Sequence, residues 1–261
     1  MKKKLLIVAG LLVVVLIAVV VFVGMSLGGI IKAGVEKVGP TITKTEMKLD
    51  SANLSLLGGS GTLKGFTLGN PEGFKTPSAI KAGSVSVGVR PGSIFSDKVH
   101  VTHVRVEGPE ITFEGALGSK NNLSQILENV EAATGGGGKP AEPAKDSGAS
   151  KKLQVDEFSI TGAKVNLSMT LFGGKAVTVP LPPIKLDSLG QGPDGITAAE
   201  LTKKVLSSVT VETLKAAQKA VTDFGLNATK AAGETLDKAT KGAGETLDKA
   251  TKGIGDLFKK K

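Results

Sequence analysis

The sequence predicts an α+β protein in which an antiparallel β-sheet domain lies between an N-terminal transmembrane helix and a C-terminal amphipathic helix. Three patterns predict this class: an uncharged apolar run after three lysines, short segments of alternating apolar and polar residues, and an 11-residue repeat. The boundaries that follow are 1–31 for the anchor, 32–133 and 151–196 for two β blocks, 134–150 for a flexible linker, and 197–261 for the helical tail.

The anchor is predicted from Leu5–Leu27, a run of 23 residues without a charged side chain. A bilayer core of roughly 30 Å needs about 20 apolar helical residues. Lys2–Lys4 precede the run and favour a cytoplasmic N-terminus, with the rest of the chain across the membrane. A cleaved signal peptide is the alternative, but its apolar region spans about 7 to 15 residues, and Gly24-Met25-Ser26 is a poor cleavage site.

Composition excludes several functional classes. The chain contains no Cys, so disulfides, thiol catalysis and thiolate metal sites are excluded. The only aromatic residues are nine Phe, which argues against the base-stacking surfaces that bind nucleic acids. The net charge of +9 therefore fits anionic phospholipid better than DNA or RNA.

The first β block carries alternating apolar residues, which predict strands with one apolar and one polar face. The phase of the apolar residues changes after Val101, which predicts a β-bulge there. A one-sided antiparallel sheet must cover its apolar face, either with protein or with a ligand such as an acyl chain. The residues predicted to contact lipid in the second case are Val85, Val87, Val89, Ile111 and Phe113.

A short helix is predicted over Asn122–Ala133, because Leu123, Ile126, Leu127 and Val130 share one helical face. Residues 134–150 contain no large apolar side chain and are predicted to be a flexible linker. Strands resume in the second β block, where the apolar phase changes at Gly162.

The tail begins at Thr197, which with Glu200 forms a candidate capping box. AAGETLDKATK (Ala231–Lys241) is followed by GAGETLDKATK (Gly242–Lys252), and an 11-residue period keeps one apolar stripe straight along a helix. We consider three roles for this stripe: a helix on a membrane surface, a coiled coil between copies of the chain, or a helix that is packed on its own sheet or frayed. The predicted stripe consists of Leu236, Ala239, Leu247, Ala250, Ile254 and Phe258.

No catalytic motif, phosphate-binding loop or metal-ligand pattern is present in the sequence, so we expect neither an enzyme nor a cofactor. The two histidines, His100 and His103, are three residues apart on a predicted strand. Alternation would place them on opposite faces of the sheet, so we expect exposed histidines rather than a metal pair.

Several segments resemble the N-terminal region of AsmA-like envelope proteins. They are GTLKGFTLGNPEGF (Gly61–Phe74), AIKAGSVSV (Ala79–Val87), VRVEGPEI (Val104–Ile111) and NNL (Asn121–Leu123). A further segment, FSITGAKV (Phe158–Val165), resembles a later strand unit of the same kind. Together with the region around them they cover about half of the chain, and an N-terminal anchor precedes the strands in that family too.

The resemblance implies antiparallel β repeats that form an apolar-lined groove, and a part in phospholipid movement and outer-membrane homeostasis. It also implies a single-pass protein of the bacterial inner membrane whose bulk lies in the periplasm. The chain departs from the family in length, since it lacks the hundreds of residues needed to bridge two membranes, and in its repeat-bearing tail. The expected partners are membrane phospholipids and a second copy or an envelope protein; the alternative function is a scaffold whose repeat helix mediates self-association or membrane-surface binding.

Overall fold

A computed structural model of the protein describes residues 27–55, 57–134, 151–168 and 177–225. Residues 1–26 of the predicted anchor lie outside the described residues, as do the 11-residue repeats and nearly all of the predicted linker. Within the described ranges, no helix has both the length and the apolar character needed to cross a bilayer.

The described strands form one mixed ten-stranded sheet, and a few helices accompany it, which confirms the α+β class. The helices are residues 27–33, the π-helical turn Gly34–Val38, α1 (Gly39–Thr43), the 3-10 turn Pro91–Phe95, α2 (Asn122–Ala133) and α3 (198–225). The strands are β1 (Met47–Lys48), β2 (Ser51–Ser55), β3 (Ser60–Leu68), β4 (Ile80–Val89), β5 (Lys98–Glu107), β6 (Glu110–Glu114), β7 (Lys152–Thr161), β8 (Lys164–Ser168), β9 (Val177–Pro180) and β10 (Ile184–Leu189).

The two β blocks join in the same sheet. One edge of β4 pairs with β3, which in turn pairs with β1 and β2, and the other edge pairs with β5 and β6. The prediction of a wholly antiparallel sheet is wrong for two pairs, β5 with β7 and β6 with β8, which are parallel. Parallel neighbours require a long crossover connection, and here the connection contains α2.

A crease crosses the sheet where β5 gives way to β6, β7 to β8, and β9 to β10. All of the pairs between β5 and β7 and between β6 and β8 join residues 54 positions apart, on both sides of the interruption. Gly65, Gly108 and Gly162 have φ of +64°, +58° and +63°, a backbone conformation that costs glycine little. The strand pairings on either side of the interruption place five residues in one row across the sheet, and we call this row the crease. It consists of Gly65, Gly83, Gly108, Gly162 and Pro182.

The apolar pattern shifts by one residue at the crease. The buried Ile160 of β7 and the buried Val165 of β8 are five residues apart, whereas uninterrupted alternation would separate residues of one face by an even number. This confirms the phase change predicted at Gly162. The predicted bulge after Val101 is also confirmed, because the register between β4 and β5 shifts so that Thr102 has no partner opposite it in β4.

We call the side of the crease that carries β6 and β8 below it, and the side that carries β5, β7 and β10 above it. The core below the crease is formed by β6, β8 and α2. The bounds predicted for α2 are confirmed, and the Asn121 side chain caps it by accepting a hydrogen bond from the Ser124 amide at 2.8 Å. Its predicted apolar face is buried except for the half-buried Leu127. The core side chains here are Ile111, Phe113, Val165, Leu167, Leu123, Ile126 and Val130, each 1% exposed or less.

Helix α3 follows β10 after a short turn and starts with the predicted capping box. The Glu200 amide donates to the Thr197 hydroxyl at 3.1 Å, and the Thr197 amide donates to the Glu200 carboxylate at 2.8 Å. The chain divides into two compact units, 1–216 and 217–261, and only residues 217–225 of the second are described.

Candidate functional site

Two rows of apolar side chains cross the sheet above the crease. Residues directly opposite each other on neighbouring strands share a face, as do residues two positions apart on one strand. The pairing registers therefore place both rows on one surface, which we call the apolar face. Its first row is Leu63, Val85, Val106, Ile160 and Ile184, and its second row is Leu54, Val87, Val104, Phe158 and Leu186.

The apolar face is long enough for a lipid chain and only partly covered. Its second row runs from β2 to β10, a distance of about 24 Å at ~4.8 Å between strands. Val85, Phe158, Ile160 and Ile184 are buried, with exposures of 5–8%. The remaining members, among them Leu63, Val87, Val104 and Val106, are half-buried. The middle of the face, on β3 to β5, thus retains accessible apolar surface.

The structure separates the five residues predicted to contact lipid. Val85 and Val87 lie in the apolar face, and Val89 lies beyond the bulge, half-buried and opposite Val101. Ile111 and Phe113 lie below the crease at 1% and 0% exposure, in the core that α2 covers. Protein therefore covers these two side chains, because the crease divides the alternating pattern into a covered part and a partly open part.

The predicted stripe of the tail, Leu236, Ala239, Leu247, Ala250, Ile254 and Phe258, lies outside the described residues. The sequence prediction of the apolar face omitted the members on β2, β3, β5, β7 and β10. Each of those strands shows the same alternation, but alternation does not reveal which strands pair. The segments Val104–Phe113 and Phe158–Leu167 share a glycine at the same place, and this was the available signal for their pairing.

A groove of about 710 Å³ lies between β10 and the first turns of α3. Its apolar side includes Leu186, which also belongs to the apolar face, so the groove continues that surface. Lys203 and Lys204 stand on its polar side, where Lys203 bonds the Glu131 carboxylate at 3.3 Å. The groove is lined by Leu186, Leu189, Gly190, Gly195, Ile196, Glu200, Lys203, Lys204, Ser207 and Ser208.

The acidic residue of the groove, Glu200, is engaged by the start of its own helix. The Thr197 amide and hydroxyl hold the pKa of the Glu200 carboxyl below its usual value, by hydrogen bonds that favour the charged form. Sequence analysis identified this capping box but not the groove. The signal was present, because a helix that starts soon after a strand can fold back over it.

His100 forms a polar cluster with β7. Its Nε2 lies 2.6 Å from Asp156 Oδ2, and the His100 side chain is 14% exposed. The prediction of exposed histidines is therefore wrong for His100, because the parallel strand β7 brings a carboxylate to it. The hydrogen bond from His100 is the main cause that holds the pKa of Asp156 below its usual value, and the Gln154 amide adds to it. The hydroxyl of Ser93 is bonded to backbone groups, the His100 amide and the Arg90 carbonyl, and not to the ring.

A second ion pair lies farther along the same two strands, where Arg105 Nη2 and Glu157 Oε2 are 3.1 Å apart. This pair lowers the pKa of Glu157 and raises that of Arg105. Both side chains are more than a third exposed, so the pair contributes little to stability. No group of three or more acidic or histidine side chains in the described ranges could hold a metal ion.

Residues that carry the sequence resemblance meet in a buried network below the crease. Asn122 Nδ2 donates to Asn70 Oδ1 and to the Thr112 carbonyl, each at 2.8 Å. The Asn122 Oδ1 atom accepts from the Glu114 amide at 3.0 Å, and Asn70 Nδ2 donates to the Thr76 carbonyl at 2.7 Å. The two motifs that contain Asn70 and Asn122 thus have a structural role, joining the loop before β4 to β6 and α2.

Glu114 extends this network. Its carboxylate accepts from the Thr76 hydroxyl at 2.6 Å and from the Lys75 and Thr76 amides at 2.7 Å each. Burial alone would raise the pKa of Glu114, but these hydrogen bonds together outweigh it and hold the pKa below its usual value. The ionised carboxylate therefore fixes the loop at the end of β6.

Comparison with known proteins provides no relative from which to transfer a function. No protein-family model, no curated protein and no solved structure matches the chain. The functional interpretation therefore depends on the chain's own chemistry, and we base it on the apolar face and the adjoining groove.

Proposed function

We propose that the protein is a non-enzymatic, AsmA-like envelope protein that is anchored in the bacterial inner membrane and handles phospholipid through its apolar face. The observation that supports this most directly is the half-buried middle of that face, formed by Leu63, Val87, Val104 and Val106. An acyl chain of one leaflet spans about half of the roughly 30 Å hydrocarbon core, and the second row of about 24 Å is longer than that. Each buried methylene would contribute about 0.8 kcal/mol to binding.

The groove beside α3 supports a phospholipid in particular. Leu186 belongs to both surfaces, so an acyl chain on the apolar face would lead toward Lys203 and Lys204. A lysine ammonium pairs readily with a phosphate. Lys203 is paired with Glu131 and Lys204 lies near Glu200, so a phosphate head group at this end of the apolar surface would join existing ion pairs.

The predicted anchor supplies the cellular setting of the proposal. Leu5–Leu27 would cross the inner membrane with the N-terminus in the cytoplasm, and the sheet would lie in the periplasm. Held close to the inner membrane by the anchor, the apolar face would bind lipid there or pass it to a partner.

The test is mass spectrometry of organic extracts from the purified full chain, comparing Val87→Asp with Ser86→Asp. Val87 lies in the middle of the apolar face, and Ser86 is its exposed neighbour on β4, so the two variants add the same charge to opposite faces. Lipid that surrounds the anchor would be the same in both. We expect the amount of phospholipid per protein to fall in Val87→Asp and to stay at the wild-type level in Ser86→Asp.

Circular dichroism spectra of the two variants establish that both remain folded. Equal phospholipid in two folded variants would show that the apolar face does not hold lipid, and the proposal would then be wrong.

A further inference from the structure

The first helical segment, residues 27–38, is bonded to the chain that leads into β2. The Lys32 ammonium donates to the Leu49 and Asp50 carbonyls. The Leu49 amide donates to the Glu36 carboxylate at 3.1 Å, and Glu36 also forms an ion pair with Lys32 at 3.0 Å. Both ends of the Lys32–Glu36 pair therefore hold the backbone of the sheet, and the segment is fixed to it.

A further contact lies at the start of this segment. Gly28 is buried, and a methyl group there would collide with the carbonyl oxygen of Ala52 in β2. Gly28 directly follows Leu27, which ends the apolar run of the predicted anchor. The sheet is thus gripped at the residue where that run ends, and no free length of chain separates the two.

The order of these contacts gives the direction in which the chain leaves the sheet. Lys32 lies beside Leu49. One helical turn earlier, Gly28 lies beside Ala52. The segment and β2 therefore run in opposite directions, and following the chain back from Gly28 leads toward Leu54. Leu54 is the member of the apolar face that lies on β2, and it is half-buried.

Ile30 provides independent evidence for a bilayer at this level. Its side chain is 65% exposed, although it follows Gly28 by only two residues. A large apolar side chain beside the end of a membrane anchor is covered when it lies in the head-group region.

We infer that the first helical segment holds the Leu54 end of β2 at the membrane surface, so that phospholipid enters the apolar face from the adjacent leaflet at β2. The two residues from Ala52 to Leu54 span about 6.6 Å, and four residues of helix rise about 6 Å. A helix that continued from Gly28 would therefore bring Leu54 level with the last turn of the anchor.

An acyl chain at that level would pass from the leaflet to the apolar face with little exposure to water, which an apolar chain avoids. The inference rests on the anchor of the proposed function and adds the place where its ligand enters.

The experiment measures the depth of two positions with single cysteines in the full chain, which contains no cysteine of its own. Ser55→Cys adjoins Leu54 but points to the opposite face of β2, away from lipid held on the apolar face. Lys48→Cys is exposed and seven residues earlier, up to about 23 Å away at ~3.3 Å per residue. Each is labelled with the fluorophore NBD and reconstituted into vesicles of phosphatidylethanolamine and phosphatidylglycerol. Phosphatidylcholine with a nitroxide on its head group serves as quencher.

Two insertions test whether the segment causes the placement. A Gly-Ser linker of about ten residues between Leu27 and Gly28 keeps every contact described above but separates the sheet from the anchor by about 16–19 Å. The same linker between Gly136 and Gly137, in the predicted flexible linker, is the matched control. We expect roughly twofold or greater quenching at 55 relative to 48, a fall at 55 to the value at 48 with the first insertion, and no change with the second.

Equal quenching at 55 and 48, in a protein that floats with the vesicles, would overturn the inference. Quenching at 55 that survives the first insertion would also overturn it, because another surface would then hold the sheet on the membrane. A protein that does not float with the vesicles would remove the anchor, and with it both the inference and the proposed membrane setting.

The comparison of Val87→Asp with Ser86→Asp tests the apolar face separately. Equal phospholipid in those two variants together with selective quenching at 55 would therefore reject the lipid-handling function and leave the placement of β2 intact. Circular dichroism of each labelled chain establishes that it is folded.

Discussion

Replacing Asn122 with alanine tests whether the buried amide network holds the lower part of the sheet together. Asn122 is fully buried, and its side chain makes three hydrogen bonds, to the Asn70 side chain, the Thr112 carbonyl and the Glu114 amide. The alanine variant loses all three and leaves the Glu114 amide without its side-chain acceptor. The loop that begins at Asn70 then loses its attachment to α2.

The expected loss of stability follows from these contacts. Each hydrogen bond contributes about 1 kcal/mol, and an unsatisfied buried donor costs about 1–3 kcal/mol more, so the free energy of unfolding should fall by about 4–6 kcal/mol. At about 2–4 °C per kcal/mol for a chain of this size, the melting temperature should fall by about 8–24 °C. Such a loss is a large part of the 5–15 kcal/mol that is typical of folded domains.

Urea unfolding of the full chain in detergent, followed by circular dichroism, measures the change. Gln125→Ala is the control, because Gln125 lies on the same helix and its amide bonds the exposed carboxylate of Glu128 at 3.3 Å. Asn122→Asp keeps the acceptor for the Glu114 amide but faces two oxygen acceptors with a carboxylate, so it should be destabilised as well. An Asn122→Ala variant within about 0.5 kcal/mol of Gln125→Ala would refute the reasoning.

Three further predictions concern the same unfolding transition. The ionised Glu114 carboxylate stabilises the fold at pH values above the usual carboxyl pKa of 4.5, and this contribution is lost as the pH falls through the lowered pKa. Urea midpoints measured from pH 6 down to about pH 3 should therefore fall less steeply in Glu114→Gln than in the wild type. Thr197→Ala removes the capping box and should cost about 1 kcal/mol in urea unfolding; an unchanged midpoint would contradict the capping role. Gly108→Ala should lower the free energy of unfolding by about 1–2 kcal/mol, because alanine is strained in the left-handed backbone conformation at this position. Gly65→Ala should lower it further, because its methyl group would also meet the Asp50 side chain. Equal losses of stability in the two variants would contradict this difference.

Features that depend on local periodicity could be predicted from the sequence. The helix Asn122–Ala133, the bulge after Val101, the phase change at Gly162 and the capping box at Thr197 all involve residues close together in the chain. Their physical causes, hydrophobic spacing and backbone hydrogen bonding, act over a few residues.

Features that depend on strand partners could not be predicted in this way. Alternation shows that a strand has an apolar face, but it does not show that β5 pairs with β7 across 54 residues or that α2 covers Ile111 and Phe113. The candidate site was therefore predicted only in part: Val85 and Val87 were identified, whereas their neighbours on β5 became evident only from the register. The carboxylate beside His100 comes from the same unpredicted pairing.

The parallel pairing at the centre of the sheet also has a consequence for how the chain folds. When β5 and β6 have been synthesised, their outer edge has no partner until β7 and β8 follow, 54 residues later. At 5–20 residues per second this takes about 3–10 s, during which the unpaired edge could join another chain. Pairing over this separation also closes a long loop, which slows folding. The exposed edge of the first block is therefore open to pairing with another chain until the second block has been synthesised.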